Sequence, residues 1–104
     1  TEERWVTLSN VLNISSLNAV YKNLTYYIFR FTINNTGIST LGNISWSLNT
    51  GQNTQSSESN TTLTAGEEII IYVDHNYTVG GNYTVVATAQ SGSMSTTKNL
   101  AVTV

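Results

Sequence analysis

Residues 25–35 read TYYIFRFTINN. Within this run Tyr27, Phe29, Phe31 and Ile33 alternate with Tyr26, Ile28, Arg30 and Thr32, and a period of two places each set on its own face of a β-strand. A row of three aromatics ending in isoleucine has to be covered by a second layer, so a core strand is expected here, with Tyr27, Phe29, Phe31 and Ile33 inward.

The same alternation is found on both sides of this run. Asn34-Asn35-Thr36-Gly37 breaks the chain, and Ile44, Trp46 and Leu48 then alternate with Ser45 and Ser47, a strand with one dry and one wet face. Upstream, a first strand is expected within Trp5–Ser15, where Val6, Leu8, Leu12 and Ile14 share a parity that Asn10 interrupts. Residues 50–60, TGQNTQSSESN, contain no apolar side chain and are expected to form a solvated loop.

Thr61–Thr64 reads as a short strand and Ala65-Gly66 as a turn. Glu67–Asp74 is another strand, with Ile69, Ile71 and Val73 on one side. Ile70 and Tyr72 on its other side predict cover on both faces. After Gly80-Gly81, Tyr83, Val85, Ala87 and Ala89 alternate with Thr84, Val86 and Thr88. Ser91-Gly92 then turns into a last strand, Met94–Val104, that ends on Leu100, Val102 and Val104. No stretch repeats apolar positions every three or four residues, so helices are not expected. The pattern is all-β, an immunoglobulin-like antiparallel β-sandwich of about seven strands, in one domain spanning residues 1–104.

Composition narrows the function. Only 10% of residues are charged, and the net charge is -2. The bases Arg4, Lys22, Arg30 and Lys98 are scattered, whereas phosphate backbones bind clustered cations, so nucleic acid is not an expected partner. Solubility rests on Ser, Thr and Asn. No apolar run is long enough to cross a bilayer as a helix, so direct membrane insertion by this segment is not expected either. The chain has no cysteine, which removes disulfides and thiolate metal sites.

Three segments, Tyr27–Gly37, Leu63–Glu67 and Gly81–Val85 (YIFRFTINNTG, LTAGE and GNYTV), resemble strand signatures of CARDB-like immunoglobulin-fold domains of archaeal and bacterial cell-surface proteins. Related sandwiches include the soluble domains of archaellum accessory proteins. The acidic, Asn-rich hairpin that many members carry between their last two strands is reduced here to Gln90-Ser91-Gly92-Ser93. The resemblance implies an extracellular structural, spacing or adhesion module on a microbial, archaeal surface. It brings no catalytic residues with it.

The triplet Asn-X-Ser/Thr occurs seven times, at Asn13, Asn23, Asn34, Asn43, Asn60, Asn76 and Asn82, among 13 asparagines. That is roughly twice the chance number, although an Asn/Thr/Ser-rich chain also generates such triplets freely. Some are expected to be N-glycosylation acceptors, with Asn43 and Asn60 the best placed because loops surround them, and Asn13 and Asn34 less so near strand ends.

His75, the sole histidine, follows Asp74 and reads as an exposed turn residue, with no metal site, cofactor or catalytic residue expected. No nucleophile elbow or paired-carboxylate pattern accompanies it, so the chain is not expected to be an enzyme. Trp5, Tyr26, Tyr72 and Tyr77 are candidates for stacking on sugar rings, and ordinary packing of a sheet surface is the alternative for the tyrosines. Trp46 and Tyr83, sharing parity with aliphatics, are expected in the core. The edges Trp5–Ser15 and Lys98–Val104 carry no proline, which leaves self-association by strand pairing open. The partners expected are thus other protein domains of the cell envelope or the chain itself, and the alternative is a binding module for carbohydrate or for a surface-layer or filament protein.

Overall fold

The computed structural model describes residues 11–57 and 61–104. Trp5, Val6, Leu8, Asn10 and Asn60 lie outside them. Among the described residues eight strands run in the order β1 (Leu12–Asn23), β2 (Tyr26–Asn35), β3 (Leu41–Asn49), β4 (Thr54–Ser56), β5 (Thr61–Leu63), β6 (Glu68–Asn76), β7 (Asn82–Ser91) and β8 (Met94–Thr103). β1-β2-β6 form a three-stranded sheet and β4-β3-β7-β8 the path of a five-stranded one, with β5 also paired to β3. All pairings are antiparallel.

The aromatic row of β2 is central to the smaller sheet and entirely inward, Tyr27 at 5% exposure and Phe29, Phe31 and Ile33 at 0%. Ile44 and Leu48 of β3 and Val85, Ala87 and Ala89 of β7 close the core from the other sheet, also at 0%. The alanines leave room for the bulky aromatics in the facing layer. Trp46 meets Phe31 edge-on at 5.5 Å between centroids, and it packs partly buried against the core, as Tyr83 does.

Three expectations about the strands and loops need correcting. The first strand runs on from Leu12 to Asn23 because bulges after Ile14 and after Ala19 each insert one residue opposite β2. Each bulge shifts the inward parity, so Leu17 follows Ile14 at a spacing of three and the alternation read from the sequence stops at Ser15. Residues 50–60 are not wholly a solvated loop. Thr54–Ser56 pairs with β3, and Thr50 is completely buried. β6 is covered on one face only, for Ile70 is 50% and Tyr72 61% exposed. A two-layer sandwich leaves the outer side of each sheet without a partner layer.

β1 descends from a pole at Leu12, beside Asn35 and Leu63, to one at Asn23, and β8 descends in the same sense to Thr103. The Tyr27 hydroxyl donates to the Thr103 carbonyl oxygen at 3.0 Å and ties β8's end to the second pole. The path through the described residues therefore enters at one pole and leaves at the other.

Candidate functional site

The outer faces of the two sheets differ in chemistry. On the larger sheet, Ser45, Ser47, Thr88, Gln90 and Thr97 face outward in register, and a shallow groove beside β4 is lined by Ser45, Ser47, Ser56, Ser57 and Thr88 among others. On the smaller sheet, the register stacks Tyr21–Ile28–Asp74 above Asn18–Arg30–Tyr72 and Ser16–Thr32–Ile70. This second face joins apolar rings and isoleucines to a cation and a carboxylate.

Tyr21 and Tyr26 meet edge-to-face, centroids 6.0 Å apart and planes at 68°, so they form a corner and not a flat platform. The Tyr26 hydroxyl donates to Asp74 Oδ2 at 3.0 Å. That bond first, and then desolvation and the nearby negative charge, raises the Tyr26 pKa above its ordinary value. Arg30 Nε is shielded from solvent and has no hydrogen-bond partner among the described residues.

Sequon asparagines frame this face at both ends. Asn13 pairs with Asn34 at the first pole, and Asn23 and Asn76 flank Tyr26 at the second. Asn34 is half-buried, with its Oδ1 shielded and unpartnered among the described residues. Asn76 Oδ1 accepts from Thr25 Oγ1 at 2.6 Å, and Asn82 Oδ1 accepts from Thr103 Oγ1 at 2.9 Å. Asn43, expected in a loop, lies within β3 at a positive φ of 52° where pairing with β5 is irregular, and it is exposed. Asn13 and Asn23 are exposed.

Of the expected stacking residues, Tyr72 is exposed and Tyr26 half-buried on the outer face, whereas Tyr77 is 2% exposed and belongs to the core. Tyr21, 47% exposed, is not legible as part of this face, since the two bulges decide which way it points. The available signal is the run on both sides of Leu24-Thr25, two strands a two-residue turn apart.

The second pole is closed by aromatics. Tyr77 stacks near Tyr83 (4.6 Å) and edge-on to Tyr27 (5.4 Å) and His75 (4.5 Å). Burial first, then the neighbouring tyrosines, pushes the Tyr77 hydroxyl up to about 12. His75, expected in an exposed turn, is instead half-buried in β6. Its Nε2 lies 3.0 Å from Gln52 Oε1, which also accepts from the Thr78 backbone N–H at 3.1 Å. Burial lowers the His75 pKa, with Asp74 opposing. Among the described residues, no three His, Cys, Asp or Glu side chains gather as a metal site would need, and no helix is long and apolar enough to cross a membrane.

At this pole the Tyr83 hydroxyl donates back to the Val79 carbonyl oxygen, four residues upstream, at 2.6 Å. A tyrosine near the start of a strand, bonded to the corner that precedes it, is a mark of immunoglobulin-like sandwiches. A solved structure agrees: the chain is similar to the PKD domain of an M14-like peptidase from a Thermoplasmatales archaeon, with a TM-score of 0.56 and 23% identity over 90% of this chain and 92% of that one. The fold is an immunoglobulin-like β-sandwich. No family pattern and no curated protein matches the sequence.

Proposed function

We propose that this chain is a non-enzymatic structural module of an extracellular microbial protein, a spacer with an adhesive face, and that its partners are neighbouring domains of the cell envelope. The observation that carries this reading is the path of the described residues, which runs from the pole of Leu12 to that of Thr103. Such a module adds its full length to a string of domains. A strand of ten residues contributes about 33 Å.

Two further observations support it. The core between the sheets is filled by side chains from both layers, so the module is a self-contained packing unit. The solved structure it resembles is one domain of a peptidase, as expected of a part that serves a larger protein. The CARDB-like signatures point to the same surface setting, in which hydroxyls, amides and glycans at exposed asparagines keep a sparsely charged chain soluble.

Carbohydrate is the second ligand class, favoured by Tyr21, Tyr26 and Tyr72 on the outer face of β1-β2-β6. The edge-to-face angle of Tyr21 and Tyr26 suits one ring seated in a corner better than an extended chain on a flat row. Self-association through β8, at one edge of the larger sheet, is the third. At the opposite side of the sandwich Gln55 Nε2 donates to the Asp74 carbonyl oxygen at 2.9 Å and blunts the free edge of β6.

Two copies fused head to tail test the spacer reading by small-angle scattering. A maximum dimension near twice that of one copy is expected. A compact pair folded side by side contradicts it.

A further inference from the structure

We propose that Asn23 is an N-glycosylation site whose first sugar packs into the corner between the rings of Tyr21 and Tyr26. The sequon Asn23-Leu24-Thr25 spans the hairpin between β1 and β2, and its middle residue, Leu24, is 90% exposed at a φ of 56°. A bulky apolar side chain in the left-handed region of a two-residue turn is held out in solvent, which presents the flanking asparagine to an enzyme. Asn23 is exposed, and no hydrogen bond engages its side chain among the described residues.

The other described sequons are less favoured. Asn34 is half-buried with a shielded Oδ1, Asn82 Oδ1 accepts from Thr103 Oγ1, and Asn76 Oδ1 accepts from Thr25 Oγ1, the hydroxyl that also completes the Asn23 sequon. Asn13 and Asn43 are exposed within strands and not at a turn.

The aromatic corner supplies the independent observation. Tyr21 is two residues before Asn23 in β1, and Tyr26 is its partner in β2. Their rings meet edge-to-face at 6.0 Å, and Tyr21 is 47% exposed. A pyranose presents an apolar C–H face that suits an aromatic ring, and a sugar on Asn23 is tethered beside two of them, so packing there carries little ordering cost.

The transfer balances with a lipid-phosphate-linked oligosaccharide as donor. Asn23 Nδ2 forms a bond to the anomeric carbon while the bond from that carbon to the phosphate oxygen breaks. The electron pair leaves with the lipid phosphate, and the transferase's base takes one proton from Nδ2.

This inference rests on the chain being exported. The test supplies export through a foreign signal peptide, so an empty Asn23 counts against the site and leaves the export reading standing. The 104-residue chain is secreted from a host with an N-glycosylation pathway, and each sequon's occupancy is read by glycopeptide mass spectrometry. Glycan on the Asn23 peptide, absent from Asn23→Gln, is expected. An unmodified Asn23 peptide overturns the site, whether or not other sequons are filled.

Packing is read in the folded glycoprotein by the sugar's proton shifts. Ring-current shifts that vanish in denaturant are expected, together with a melting temperature above that of Asn23→Gln, an increment that Tyr21→Ala removes. Unshifted sugar protons overturn the packing, even if the tyrosine variant fails to fold.

Discussion

The hydroxyl of Tyr77 donates to the backbone carbonyl oxygen of Thr50 at 2.8 Å, and both residues are almost wholly buried, Tyr77 at 2% and Thr50 at 0% exposure. This bond joins the connection after β6 in one sheet to the turn after β3 in the other, and so fastens the second pole across the sandwich. Tyr77→Phe keeps the ring and strands the Thr50 carbonyl. A loss of about 1–3 kcal/mol in urea unfolding is expected, with an unchanged denaturant slope.

The same residue sets an alkaline limit. Its folded pKa is raised from 10.0 to about 12, so the unfolded chain releases this proton first. The stability it contributes is complete below pH 10.0 and is lost as the pH rises through about 12. A urea midpoint that falls across that window, and falls less in Tyr77→Phe, checks this.

His75 sets the opposite limit. Its pKa is lowered from 6.5 in the folded protein, so the unfolded chain binds the proton more readily. Its share of stability is complete above pH 6.5 and declines as the pH falls toward the folded value. Urea midpoints between about pH 8 and about pH 5 should fall more steeply in the wild type than in His75→Gln.

Gly51 is at a φ of 95°, and a Cβ there would sit 2.7 Å from Cδ1 of Tyr83. Gly51→Ala therefore combines backbone strain with a clash against the tyrosine that braces the corner after β6. A loss of about 2–4 kcal/mol is expected by chemical denaturation.

Asn35, 1% exposed, holds the first pole. Its Nδ2 donates to the carbonyl oxygens of Ser39 (2.7 Å) and Leu63 (3.1 Å), and its Oδ1 accepts from the Gly37 N–H at 2.9 Å. Asn35→Ala leaves these backbone groups unpaired and should cost about 2–4 kcal/mol by thermal or chemical unfolding.

The sandwich was legible wherever a strand kept an unbroken period of two, as in Tyr27 to Ile33 and Val85 to Ala89, because burial of one face dictates that period. It was obscured where bulges reset the parity, which hid the second half of β1 and with it Tyr21. Thr50 lies in a stretch that looks wet because composition carries no sign of a backbone carbonyl that a distant tyrosine needs. Tyr77 looks like a surface ring for the same reason, since its partner is far away in sequence. Parity in β6 placed Tyr72 opposite Ile71 correctly, but only the two-layer architecture shows that no third layer covers it. The sequon count was legible at once. Which asparagines stand clear of their neighbours depends on hydrogen bonds between strands, such as that from Thr25 to Asn76.

The central claim, that the chain crosses the sandwich from pole to pole and so acts as a spacer, is tested most directly by one distance. The sequence has no cysteine, so Asn13→Cys and Thr103→Cys together accept a pair of spin labels, both positions being exposed. Pulsed electron paramagnetic resonance should give a narrow distribution centred at about 30 Å or more, the length of the strands between the poles. A separation below about 20 Å would place entry and exit at the same end, turn the chain back on itself and contradict the spacer geometry.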